Sequence, residues 1–228
     1  MATYVLVHGS YQGGWIWQPV ANRLRAAGHQ VYAPTLDGCG ERKGMLRPGI
    51  TTETQADEVA QLLFYEDLKH VILVGTSSGG MVTCRVAELM RDRIDRLVFV
   101  DALALLSGES IRDIVKSTSV TGELSVAPSR EEAVNRLFAD LDPTSRAWAL
   151  ERYTPHPVGI YDQPVKLDSF WTQPWKASVI WCRRAPNPGE AHLRRAAERL
   201  NATWAELDTG HYPMLSMPEE LTKLLLAA

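Results

Sequence analysis

Short runs that are apolar on both faces recur along the chain: YVLV (4–7), VILV (71–74), LVFV (97–100) and SVIWC (178–182). A strand wetted on one face alternates apolar with polar residues. One that is apolar throughout is covered on both faces, as in a parallel sheet between two layers of helices. QVYA (30–33) and TWAEL (203–207) read as further strands. Between the runs lie stretches with helical spacing. They cover 17–27, closed by Gly28, then 51–68, opened by threonine caps, then 78–90, 190–200, and the segment after Pro218. The expected class is α/β, with a mostly parallel central sheet and helices on both faces.

Residues 107–172 break this rhythm. They contain helical pieces at 111–115, 130–141 and 144–153 but no convincing strand. The segment reads as a helical lid inserted into a core formed by 1–106 and 173–228. A chain of 228 residues suits one such domain and buries enough apolar surface to need no disulfide or metal staple.

Composition excludes several classes. Net charge is −3, which gives no pull toward nucleic acid or an anionic membrane. No apolar stretch approaches the ~20 residues of a membrane span. Cys39, Cys84 and Cys182 are scattered, without a CxxC pair, as in a reducing compartment. After Met1 the chain enters TYVLVHG with no basic leader. The expectation is a soluble, cytoplasmic protein. Association into a homodimer stays open.

Residues 74–80 read VGTSSGG, directly after an apolar run and directly before a helical stretch. A chain that reverses between strand and helix within a few residues strains the residue at the apex. Glycines two before and two after the apex make room. Ser77 has Gly75 and Gly79 at those places, whereas Ser78 has Thr76 and Gly80. The spacing selects Ser77 as a nucleophile and leaves Ser78 to supply a backbone N–H. The other glycine-rich turns do not fit: there is no GxGxxG and no Gly-Lys-Ser/Thr phosphate loop.

Two more segments support this. His8-Gly9-Ser10 ends the first strand, where a second backbone donor for an oxyanion would come from Ser10. His211, in LDTGHYPM, follows the last strand, where a base must lie to reach a serine at a strand end. His8 fits a structural role, bonded to its own turn.

With HGSYQGGWIW, LRAAGHQVYAPTLDGCGER, VGTSSGGM and TGHYPM in place, the chain resembles the α/β-hydrolase superfamily. It looks most like the branch of plant methyl esterases, hydroxynitrile lyases and bacterial pyrethroid-type carboxylesterases. The resemblance implies a cofactor-free acyl-transfer site with Ser77 as nucleophile and His211 as general base. The Ser10 and Ser78 N–H groups would hold the oxyanion. Lyases of this branch carry a lysine after the catalytic histidine. Tyr212 stands there in this chain, which disfavours cyanohydrin cleavage.

The acid that orients the base is displaced. The loop after SVIWC, at 183–188, reads RRAPNP and holds no carboxylate. Asp101, ending LVFV, is the expected acid, since a carboxylate at the end of an apolar strand is costly unless paired. Its ordinary alternative is to cap the following turn. Glu190, at a helix start, and Asp208, three residues before His211, are the other candidates.

Trp15, Leu103, Trp148, Trp171 and Met214 are expected to line the pocket, and GCGER (38–42) to be a structural turn pinned by Glu41 and Arg42. So many rings near a serine suggest a small, apolar or aromatic carboxylic ester, with methyl esters and carbamates in range. A lyase and a non-catalytic small-ligand receptor are the alternative readings on the same scaffold.

Overall fold

The computed structural model describes residues 1–115 and 123–228. Its strands are β1 (Thr3–Val7), β2 (Gln30–Tyr32), β3 (Val71–Ser77), β4 (Ile94–Ala102), β5 (Ser125–Val126), β6 (His156–Pro157), β7 (Ala177–Cys182) and β8 (Thr203–Leu207). Six of them form one sheet in the order β2-β1-β3-β4-β7-β8, and every pair in it is parallel. The strands β3 and β4 sit at its centre, as their double-sided apolar runs require.

The helices are α1 (Gln18–Ala26), α2 (Thr52–Tyr65), α3 (Gly79–Leu89), α4 (Ile111–Ile114), α5 (Arg130–Glu132), α6 (Pro143–Leu150), α7 (Gly159–Asp162), α8 (Glu190–Leu200), α9 (Pro213–Ser216) and α10 (Pro218–Ala227). Alternate strand residues face opposite cores. Val5, Leu73, Leu97 and Val179 pack with apolar residues of α2, α3 and α8. Leu6, Val74, Val98 and Ile180 pack with those of α1 and α10. The threonine cap of α2 is a reciprocal pair, Thr54 N–H donating to Thr51 Oγ1 and Thr51 N–H to Thr54 Oγ1.

The segment 107–172 adds no strand to the main sheet among its described residues. It differs from the sequence expectation in two ways. β5 and β6 pair there as a two-residue antiparallel ladder, too short to leave an alternation signal. The helix expected over 130–141 is one turn, α5, running into a π-helical turn at Ala133–Leu137. Of the two residues expected to pin the GCGER turn, Arg42 does so, its guanidinium donating to Thr35 O and to Glu58 of α2, and Gly40 N–H adds a bond to Thr154 Oγ1. His8 is buried against its own turn. Its Nδ1 lies 2.8 Å from Gly9 O, and Nε2 accepts from Leu36 N–H. Burial lowers its pKa to about 4, so the ring stays neutral.

Candidate active site

Ser77 is the last residue of β3, and α3 starts two residues later. Its backbone has φ 53°, a left-handed conformation that costs a residue with a Cβ about 1–3 kcal/mol. The surroundings hold it there. Ser77 O accepts from Leu103 N–H at 2.8 Å. The glycines give the clearance that the sequence pattern demanded: a Cβ on Gly75 would meet Thr83 Oγ1 at 2.4 Å, and one on Gly79 would meet His8 O at 2.4 Å. Gly9 is equally constrained, because a Cβ there would lie 2.4 Å from the Ser77 Cβ.

β3 and β4 pair in register from Ile72 opposite Arg96 to Thr76 opposite Val100; the next pair is Ser77 opposite Ala102. Asp101 is therefore the extra residue of a β-bulge, with φ 46°. The bulge turns its side chain out of the ladder. One carboxylate oxygen accepts from Cys182 N–H at 3.3 Å, and the other lies 2.5 Å from His211 Nδ1. Asp101 is fully buried, so both oxygens needed partners and both have one. The alternative acids are engaged on the outside. Glu190 pairs with Arg194, and Asp208 with Arg183 and Arg184.

His211 sits between β8 and α9. Its loop is braced from the inserted segment by Asp140, whose Oδ2 accepts from Gly210 N–H at 2.9 Å and from Thr209 Oγ1 at 3.4 Å. Sequence reading missed Asp140, since nothing in the order of residues links it to a loop seventy positions on.

Ser77 and His211 line one cavity of about 160 Å³, with Ser10 and Ser78 also on its wall. The Ser10 and Ser78 hydroxyls lie 2.9 Å apart. Among the described residues, neither backbone N–H is used in a turn or loop hydrogen bond. Wider hollows lie elsewhere, between Pro34 and Glu66 and between Thr51 and Lys166, but neither holds a serine.

Of the five residues expected on the pocket wall, Leu103 is there and four are not. Trp15 packs edge-on against Trp148, ring centres 5.2 Å apart, and both border a separate hollow with Arg152. Trp171 turns into the core and donates Nε1–H to Leu105 O. Met214 is fully buried below the site. The wall is instead made by Tyr11, Ile111, Val115, Arg136, Leu137, Tyr161, Pro186, Asn187 and Tyr212.

A model of the alpha/beta hydrolase family matches residues 4–224. The chain belongs to the alpha/beta hydrolase family. Within that family it is 29% identical to the carbendazim hydrolyzing esterase of Nocardioides sp. (strain SG-4G), over 100% of this chain and 99% of that one. It is 30% identical to lipase LipV of Mycobacterium tuberculosis, over 98% and 92%. Among solved structures, an extracellular alpha/beta-hydrolase from a Paenibacillus species superposes with a TM-score of 0.87. The identity is 24%, over 100% of this chain and 99% of that one, a likeness of fold. The parallel sheet of this hydrolase carries the candidate residues at or just beyond the C-terminal ends of its strands. No helix among the described residues is long and apolar enough to cross a membrane.

Proposed function

We propose that this chain hydrolyses small carboxylic esters, carbamates included, through an acyl-enzyme on Ser77. The observation that carries the reading is the buried Asp101–His211 pair beside a serine held at φ 53° on the wall of the same cavity. Ser77 Oγ attacks the carbonyl carbon while His211 Nε2 takes its proton. Asp101, holding Nδ1–H, fixes the tautomer and steadies the imidazolium. The Ser10 and Ser78 N–H groups receive the oxyanion, each such contact being worth about 2.7–4 kcal/mol. The imidazolium returns its proton to the leaving oxygen, and water then cleaves the acyl-enzyme by the same steps in reverse.

The names of the relatives agree with ester and carbamate chemistry: an esterase that hydrolyses carbendazim, methylesterases from Arabidopsis thaliana, and a putative carbamate hydrolase from Yersinia enterocolitica. A cavity of about 160 Å³ favours a small substrate, since drug-sized ligands occupy about 300–1,000 Å³. The described residues of 107–172 act as the lid over it, supplying Ile111, Val115, Arg136, Leu137 and Tyr161 to its wall. The three cysteines are free and buried, which supports a cytoplasmic protein.

The test is mass spectrometry after a fluorophosphonate probe. The expected result is a single adduct on the peptide at Ser77, lost in Ser77→Ala. An adduct on Ser78, or none, overturns the reading.

A further inference from the structure

Among the described residues, Arg136 is the one permanently charged residue on the wall of the Ser77 cavity. It sits on the π-helical turn Ala133–Leu137, and among the described residues it has no hydrogen bond or ion pair. Three other arginines of the inserted segment are engaged: Arg112 pairs with Asp162, Arg146 donates to three carbonyls, and Arg152 lies over Trp148. The acids nearest Arg136 in sequence make their hydrogen bonds elsewhere, although Glu132 interacts with it electrostatically. Glu132 accepts from Ser129 N–H and Asp140 from Gly210 N–H. A guanidinium is charged at every working pH and presents a planar fork of donors that matches a carboxylate. In a chain of net charge −3, a cation at this mouth is a local exception, and its charge is felt by the exposed Glu132 carboxylate four residues earlier. The inserted segment adds the apolar Ile111, Val115 and Leu137 to the wall, and Tyr161, a ring that carries a hydroxyl.

Resting on the ester-hydrolase reading above, we propose that Arg136 makes the site selective for anionic esters. These are small substrates whose apolar body lies against Ile111, Val115 and Leu137 and whose carboxylate is received by the guanidinium. The carboxylate takes no part in bond making; it positions the scissile carbonyl at Ser77.

The experiment compares two probes of nearly equal shape, 4-acetoxybenzoate and 4-acetoxybenzamide, with the full chain at low salt and pH 7.5. The wild-type protein is expected to prefer the anionic probe in kcat/KM by about five- to tenfold, the size of one solvent-accessible charge-assisted contact. The preference should shrink as NaCl is raised. Arg136→Gln should bring the ratio to about one. Arg136→Lys should keep part of it, and Arg130→Gln, off the cavity wall, should keep all of it. A wild-type ratio near one, or a ratio that Arg136→Gln does not change, overturns the substrate assignment while leaving the hydrolase reading intact. Failure to turn over either probe, with no fluorophosphonate adduct on Ser77, overturns both.

Discussion

The Asp101 carboxylate and the His211 imidazole meet across 110 residues of sequence, Oδ2 to Nδ1 at 2.5 Å. The contact exists because a bulge places Asp101 one residue out of register with β3 and so aims it past the strand end. With the second oxygen held by Cys182 N–H, the carboxylate has no freedom to serve a solvent-exposed turn.

Asp101→Asn should keep this geometry and lose the negative charge. If Asp101 is the acid, kcat falls about 10³–10⁴-fold. Glu190→Gln and Asp208→Asn, whose carboxylates pair with surface arginines, should stay within twofold of wild type. Steady-state kinetics on a nitrophenyl acetate decides the matter. Near-full activity in Asp101→Asn removes Asp101 from the mechanism.

Ser77→Gly should abolish turnover and yet stabilise the fold. Removing the side chain relieves a left-handed backbone, for a gain of about 1 kcal/mol, or about 2–4 °C in Tm for a chain of this size. A thermal scan in which Ser77→Gly melts below wild type shows that the turn is not strained.

Ser78→Ala separates the two serines. It removes the hydroxyl that meets Ser10 but keeps the N–H, so kcat should fall less than about tenfold, against the roughly 10²–10³ lost with an oxyanion donor. A loss as deep as that of Ser77→Ala would mean the side chain of Ser78 takes part in the chemistry.

Asp140→Ala leaves Gly210 N–H, next to the proposed base, without its acceptor. Stability should drop by about 1 kcal/mol. The kcat should fall several-fold with little change in KM, and Asp140→Asn, which retains an acceptor, should recover most of both. Equal kinetics in all three proteins would show that the loop needs no brace.

Acid should destabilise the fold through three buried histidines. Desolvation lowers His8 and His192 to about 4 and His156 to about 3. Below pH 6.5 the unfolded chain takes up protons that the native rings refuse, so stability falls as pH falls from 6.5 toward 4. At pH 5 the loss is about 2 kcal/mol per ring. Urea midpoints at pH 8, 6 and 5 measure it. A midpoint that holds from pH 8 to pH 5 contradicts neutral burial of these rings.

The central sheet was legible because β3 and β4 are apolar on both faces, a pattern few other environments permit. The strained turn at Ser77 was legible because only one of two adjacent serines has glycine at both flanking places, and the structure uses both for clearance. Asp101 stood out as a charge ending an apolar strand. The cavity wall was not legible. Ring size says nothing about direction: Trp15, Trp148 and Trp171 are as large as the rings that do face the cavity, yet they point elsewhere. Arg136 escaped because the π-helical turn adds a residue per turn and shifts the phase from which a helical face is read. Asn187 reaches the wall from a loop whose path has no periodicity to follow.

Placing the proposed acid on β4 has a consequence for how such a protein can change. The proposed nucleophile and acid ride on adjacent strands in the middle of the sheet, so the loop at 183–188 is released from holding a carboxylate in place. Pro186 and Asn187 of that loop stand on the cavity wall instead. Its sequence can drift toward new substrates without disturbing the proton relay, an independence that an enzyme with its acid in that loop does not have.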